Sequence, residues 1–192
     1  EKANQSISTT GRTRLKQELL NIADLSGDQK LFASLLESEI KSRPADIRTI
    51  CRRCELAVEQ NDLAALQNWS STLATQGAVG QAWSQYYEAL RLYLEAKGNP
   101  GKLQIAIAAC DRLAAIKPSW GRGLVLRGMI EQSLGNLKPA SDAYERAIDS
   151  GIADTAVYER LIAVLERQHE YANAEKYLSR LESWLPFSQR LT

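Results

Sequence analysis

The sequence has 192 residues, 44% hydrophobic and 24% charged, enough for one domain with a substantial core or for a short repeat array. Its 24 Lys and Arg residues nearly balance 23 Asp and Glu residues, which argues against a dedicated nucleic-acid binder. No apolar run approaches the roughly 20 residues that span a bilayer, and three cysteines are too few for a secreted disulfide scaffold.

The two ends of the sequence differ from its middle. Residues 1–11 are polar and lack an apolar period, so they are predicted to form a flexible lead-in. The chain begins at Glu1 rather than at a methionine and ends at Thr192, shortly after a hydrophobic stretch, which suggests a piece of a longer protein. We therefore expect a cytoplasmic segment that makes no membrane contact of its own, with any targeting signal or anchor in the missing part.

The rest of the chain has the pattern of amphipathic helices. Apolar residues recur at intervals of three and four, as in Leu15, Leu19 and Ile22, and no stretch alternates as a strand does. Five prolines and several short polar breaks divide the chain into segments of helical length, because proline lacks the amide hydrogen and clashes with the preceding turn. These breaks predict ten helices in five pairs, an all-α fold.

A period of 34 residues relates the helix pairs to one another. Ala106, Ala140 and Ala174 recur at this interval, each early in the second helix of a pair. Gly101 and Gly135 recur at the same interval in the turns. Small residues at a fixed period predict helix pairs that stack closely, because one pair alone buries too little apolar surface to fold.

Residues 121–154 resemble a tetratricopeptide repeat. That family has a small residue in the first helix, a glycine at the turn, then alanine, an aromatic residue and alanine along the second helix. Those slots are filled, in order, by Gly128, Gly135, Ala140, Tyr144 and Ala147. The resemblance is looser towards the N-terminus but covers residues 12–192 as one domain. Its repeats lie at about 13–46, 47–80, 87–120, 121–154 and 155–188.

The resemblance implies a right-handed superhelical solenoid of antiparallel helix pairs, with a concave groove lined by the first helices. Residues 81–86 exceed the period and predict a lengthened helix from about Val79 to Lys97. Trp83 and Tyr86 fall in this extension and are the aromatic residues best placed to contact a ligand. The alternative is that they fill space between helices, as aromatic residues at helix ends usually do.

The pair Cys51 and Cys54 has a spacing compatible with a metal site, a redox pair or two packed side chains on one helix. A structural zinc site needs four ligands, and the other candidates, Cys110 and His169, are more than 50 residues away. A redox pair of the thioredoxin type follows a strand, and no strand is predicted. We expect buried packing cysteines and no metal site. Cys51 is the candidate redox-sensitive thiol, because its slot faces the groove in the family.

Catalytic motifs are absent from the sequence. The single histidine, His169, falls in a predicted turn and has no matching nucleophile. There is no phosphate-binding glycine loop, no G-x-S-x-G and no H-E-x-x-H. The sequence therefore predicts no enzyme and no cofactor.

Arginines on first helices are the main candidates for contact with a partner, and Val125 and Met129 are the apolar candidates. These arginines are Arg14, Arg48, Arg52, Arg91 and Arg122. Arg48 and Arg52 are one turn apart and could offer paired donors to a carboxylate of the partner. The alternative is a solvated face on which the arginines pair with acidic residues of the same helices, namely Glu55, Glu59, Glu88 and Glu95.

Together these features predict a protein-interaction module that binds a peptide or a partner helix in its concave groove. A second interpretation is a structural spacer or self-association segment that stacks end to end through Trp184, Leu185 and Phe187. Nucleic-acid binding by helical repeats is a third interpretation, which the neutral charge disfavours.

Overall fold

The computed structural model describes residues 9–183, and within that range the chain forms ten α-helices and no strand. In chain order the helices are α1 (Thr9–Ser26), α2 (Gln29–Ser42), α3 (Ile47–Glu59), α4 (Leu63–Ala74), α5 (Gly77–Ala96), α6 (Pro100–Ile116), α7 (Gly121–Leu134), α8 (Leu137–Asp149), α9 (Thr155–Arg167) and α10 (Tyr171–Glu182). The predicted all-α class is confirmed. Helix α1 begins inside the predicted lead-in, whose last three residues are therefore helical.

Polar residues at the helix starts explain why the helices begin where they do. The side chains of Asp28, Asp46, Asp62 and Asn99 each accept a hydrogen bond from a backbone N–H in the first turn of the following helix. Pro100 occupies the first position of α6, where its missing N–H would have had no partner within the helix. The polar breaks of the sequence are thus helix caps.

The chain divides into two compact units, Glu1–Ser84 and Gln85–Thr192. In the first unit, α1 packs on α2, α2 on α3 and α3 on α4. In the second unit, α6 packs on α7, α7 on α8, α8 on α9 and α9 on α10. From α1 to α4 and from α6 to α10, successive helices therefore pack on one another, joined by short turns.

Helix α5 is 20 residues long, from Gly77 to Ala96. This confirms the prediction of a lengthened helix, which begins two residues before the expected Val79. Among the helices between Thr9 and Ser183, none combines the length and the apolar character needed to cross a lipid bilayer.

The core of the second unit shows why small residues recur. Gly128 of α7 lies directly against the ring of Tyr144 on α8, and a Cβ atom there would lie 2.6 Å from Cε1 of that ring. Tyr144 is fully buried, and its hydroxyl donates a hydrogen bond to Gln132 Oε1 at 2.8 Å. The missing side chain at residue 128 thus leaves room for the aromatic ring between the two helices.

Candidate partner-binding cleft

A cleft of about 450 Å³ opens in the second unit between α5, α7 and the turn that leads into α9. It contains three of the predicted partner-binding residues, Arg122, Val125 and Met129, and also Tyr86, one of the two aromatic candidates. The remaining lining residues are Leu90, Leu126, Gly151, Ile152, Ala153, Asp154 and Val157. Most of these side chains are apolar, so the cleft suits a ligand that can bury apolar surface.

Helical spacing places the three predicted residues on one face of α7. They stand at intervals of three and four residues, which correspond to adjacent turns of a helix. Val125 and Met129 are half-buried and pack against the buried core formed by α8, α9 and α10. Arg122, in the first turn, is exposed. One helix therefore offers two anchored apolar side chains and a cation to the same cleft.

The turn before α9 supplies the opposite wall. Gly121, the first residue of α7, is buried, and a Cβ atom there would lie 2.5 Å from Cγ1 of Ile152. Without that atom the turn can approach the start of α7 and bring Ile152 into the cleft. Asp154 follows in the same turn, and its carboxylate accepts a hydrogen bond from the Ala156 N–H at 2.9 Å, which caps α9.

Tyr86 is held in place by other aromatic rings. Its ring lies 5.4 Å from that of Trp120 and 5.2 Å from that of Tyr87, measured between centroids, in tilted and edge-to-face arrangements. Tyr86 is one of the two aromatic residues selected from the sequence, and it lines the cleft. The other, Trp83, lies in the first unit. The contacts of Tyr86 with its neighbours fix its orientation at the cleft.

Solved structures with the same arrangement of helices identify the fold. TTC0263, a thermophilic TPR protein of Thermus thermophilus, superposes with a TM-score of 0.68 at 15% identity, over 90% of this chain and 92% of that one. A tetratricopeptide repeat protein from Parabacteroides merdae superposes with a TM-score of 0.61 at 16% identity, over 88% of this chain and 64% of that one. MamA from Desulfovibrio magneticus superposes with a TM-score of 0.59 at 11% identity, over 93% of this chain and 96% of that one.

This chain has a tetratricopeptide-type helical repeat fold. The resemblance inferred from its sequence, and the all-α array of helix pairs that it implied, are confirmed. No protein-family model matches the sequence, and no curated protein matches it.

Arg91, on a first helix of the tetratricopeptide-type fold, is already engaged within its own helix. Its guanidinium binds the Glu88 carboxylate in a two-pronged contact, at 3.0 Å and 2.8 Å, and donates to Glu95 at 2.8 Å. The hydrogen bonds from Arg91 hold the pKa of the Glu88 carboxyl below its usual range. Arg91 therefore pairs with acidic residues of its own helix, which is the alternative that the sequence analysis gave for these arginines.

The arginines of the first unit have a different environment. Arg52 donates to Asp24 of α1 at 2.9 Å, and its guanidinium lies 4.8 Å above the centroid of the Phe32 ring. Its partner is therefore on another helix and is neither Glu55 nor Glu59. Arg48 and Arg14 are exposed on α3 and α1. Arg48 and Arg52 do lie one turn apart on α3, but the guanidinium of Arg52 is already bound to the Asp24 carboxylate.

All three cysteines of the tetratricopeptide-type fold are buried, with exposed fractions of 7% for Cys51, 0% for Cys54 and 3% for Cys110. The packing role expected of Cys54 and Cys110 is confirmed. Cys51, the candidate for a groove-facing thiol, is buried as well, because α3 packs against both α2 and α4 and so has a wide buried face. In the part of the chain that the structure describes, no three Cys, His, Asp or Glu side chains are grouped so as to hold a metal ion.

Burial predicts that these thiols are unreactive. It raises the pKa of Cys110 to about 12 and also raises the pKa of Cys54, so neither forms the nucleophilic thiolate at neutral pH. At pH 8 the native protein is expected to react with Ellman's reagent at least about a hundredfold more slowly than the unfolded chain. The unfolded chain should release three equivalents. Rapid reaction of one native thiol would show that Cys51 is accessible.

The lining residues that were not selected from the sequence are Leu90, Leu126, Gly151, Ile152, Ala153, Asp154 and Val157. Leu90 and Val157 match the ordinary apolar period of their helices, which does not distinguish a cleft from a core. Ile152 is a large apolar residue inside the polar turn SGIAD, and this is the feature of the sequence that could have pointed to a wall of the cleft.

Proposed function

We propose that this chain is a protein-interaction module that binds an apolar segment of a partner in the cleft formed by Val125, Met129 and their neighbours. The observation that carries the proposal is the gathering of half-exposed apolar side chains from two helices and a turn into one open cleft of about 450 Å³. That volume is in the range of roughly 300–1,000 Å³ found for binding pockets. Surface apolar residues that only complete a fold are usually scattered singly.

The chemistry of the cleft indicates the kind of partner. Its apolar walls suit a peptide or a helix that inserts large aliphatic or aromatic side chains. Met129 favours adaptable packing, because its unbranched thioether side chain adjusts to differently shaped anchors. Arg122, exposed beside these residues, is suited to a carboxylate that adjoins the anchors in the partner. The proposed ligand is therefore a segment with apolar anchors next to an acidic residue.

The test is a selection of displayed peptides against the chain, followed by calorimetry on the enriched sequences. We expect enriched peptides with two or more large apolar residues and an adjacent Asp or Glu. Arg122→Glu, at an exposed position, should weaken their binding about tenfold or more, since a charge-assisted hydrogen bond is replaced by repulsion. Met129→Lys should weaken binding of every enriched peptide, acidic or not.

A matched control is Ile105→Glu on α6, which introduces a charge at a position that is 55% exposed and outside the cleft. It should bind the peptides as the unchanged chain does. Circular dichroism confirms that each variant is folded. If Arg122→Glu and Met129→Lys bind the selected peptides with unchanged affinity, the cleft is not the binding surface.

A further inference from the structure

Helix α1 carries an apolar stripe that no described residue of the first unit covers. Leu15, Leu19 and Ile22 occupy successive turns of one face and are 51%, 40% and 58% exposed. By contrast, Leu20 and Ala23, which face the rest of the unit, are 3% and 1% exposed. The stripe is therefore separate from the face of α1 that packs within the unit.

The 34-residue repeat shows what such a stripe contacts. The equivalent residues of α9 are Val157, Leu161 and Val164, which are 3%, 0% and 0% exposed. Each lies 142 positions further along the chain, which is four repeats of 34 residues plus the six residues 81–86 that exceed the period. They belong to the core in which α8 packs on α9, together with Tyr144. On α9, the residues equivalent to the stripe of α1 are thus part of the core that contains side chains of both α8 and α9.

The first unit buries two of the three equivalent positions on α3. Thr49 and Leu56 of α3 stand 34 residues after Leu15 and Ile22 and are buried, and α2 packs on α3. The stripe is therefore covered at these positions of α3 and α9 and exposed on α1.

Helix α10 exposes apolar residues of the complementary face, among the residues that the structure describes. Tyr171 and Leu178 are 62% and 44% exposed. Their equivalents on α8, 34 residues earlier, are Leu137 and Tyr144, which pack into the core shared with α9. Hence α10 exposes positions whose equivalents on α8 belong to the core shared with α9, and α1 exposes positions whose equivalents on α9 belong to that same core.

We propose that α10 of one copy of this chain packs on α1 of a second copy, reproducing the α8–α9 interface between molecules. The occupant is a second copy because each chain, between Thr9 and Ser183, exposes both halves of this repeated interface. The contact is heterologous, since the two surfaces differ. It is independent of the partner cleft. The residues first expected to mediate stacking, Trp184, Leu185 and Phe187, lie outside the described residues, and the proposal uses none of them.

The charges fit this arrangement. Helices joined by a short turn run antiparallel, so the end of α8 lies beside the start of α9, and in the assembly the end of α10 lies beside the start of α1. This brings Glu182, exposed at the end of α10, close to the part of α1 where Arg14 is exposed. Opposite charges thus adjoin the apolar contact.

Sedimentation of chain 1–192 over a range of concentrations tests the proposal. We expect the mass to rise with concentration, and Leu19→Glu or Leu178→Glu each to leave a monomer. An equimolar mixture of the two variants should form a 1:1 dimer that grows no further, because one variant keeps an intact α10 and the other an intact α1. Ile105→Glu should associate as the unchanged chain does, since that exposed position lies on α6.

Three results would overturn the proposal: an unchanged chain that is monomeric at every concentration, a mixture that stays monomeric, or association that survives Leu178→Glu and is lost with Leu19→Glu. The last result would mean that α1 pairs with α1. Circular dichroism checks folding, and Ile22→Gln replaces Leu19→Glu if helicity falls. Arg122→Glu, the cleft variant, should leave association unchanged, so this test and the peptide test can fail separately.

Discussion

Replacing Gly128 with valine is expected to lower the free energy of unfolding of the second unit by about 3 kcal/mol, the upper end of the usual cost of overpacking a core. A Cβ atom at this position would lie 2.6, 2.7 and 2.9 Å from three carbons of the Tyr144 ring. The ring is fully buried and its hydroxyl is bonded to Gln132, so it cannot move aside without losing that contact. Denaturant unfolding followed by circular dichroism measures the change.

Gly101→Ala is the matched control. It also adds a side chain to a glycine within a helix, but the nearest neighbour of the new Cβ atom would be Asn99 Oδ1 at 3.4 Å. This variant should be as stable as the unchanged chain or up to about 1 kcal/mol more stable, because alanine favours helix. Combining Gly128→Val with Tyr144→Leu should cost less than the sum of the two changes, since the leucine relieves the clash. Strict additivity would refute the steric explanation.

Leu161→Ala is expected to lower the free energy of unfolding by about 3 kcal/mol, within the roughly 2–5 kcal/mol measured for such truncations. Leu161 is 0% exposed and lies in the core shared by α8, α9 and α10. Truncation leaves a cavity where these helices meet, and the surrounding side chains can fill it only in part. Because stacked repeats are stabilised by contacts between neighbours, the loss should appear in the cooperative unfolding of the second unit.

Leu25→Ala serves as its control, since the same atoms are removed from a position on α1 that is 89% exposed. Its effect should stay within about 0.5 kcal/mol, as is usual for surface substitutions. A loss at Leu25 as large as that at Leu161 would mean that the exposed face of α1 is covered in solution. Repeating the measurement at several protein concentrations would then show whether a second copy covers it.

The helices and their ends were predictable because they depend on residues close together in the chain. An apolar period of three to four residues defines each helix, and polar caps such as Asp62 and Asn99 define the starts. The slots of the repeat were predictable for a related reason. Gly128 and Tyr144 fill two slots of the tetratricopeptide pattern, a small residue on one helix and an aromatic residue on the next, and this pairing indicates that the two helices approach closely.

Part of the cleft could also be predicted. Arg122, Val125 and Met129 share a face of α7, and their spacing alone shows this. The opposite wall could not be inferred, because Ile152 reaches the cleft only through the close approach of its turn to Gly121. Such an approach depends on how the backbone of one segment meets another, and no local pattern records it.

The sequence by itself determined the helices, their caps and the 34-residue repeat, since all of these follow from periodicity and short-range spacing. Only the tertiary structure decided which side chains the packing covers. It buried Cys51, paired Arg52 with Asp24 and left the stripe on α1 exposed. These outcomes depend on contacts between helices that are distant in the chain, and the same apolar or charged residue can be covered or exposed depending on its neighbour in space.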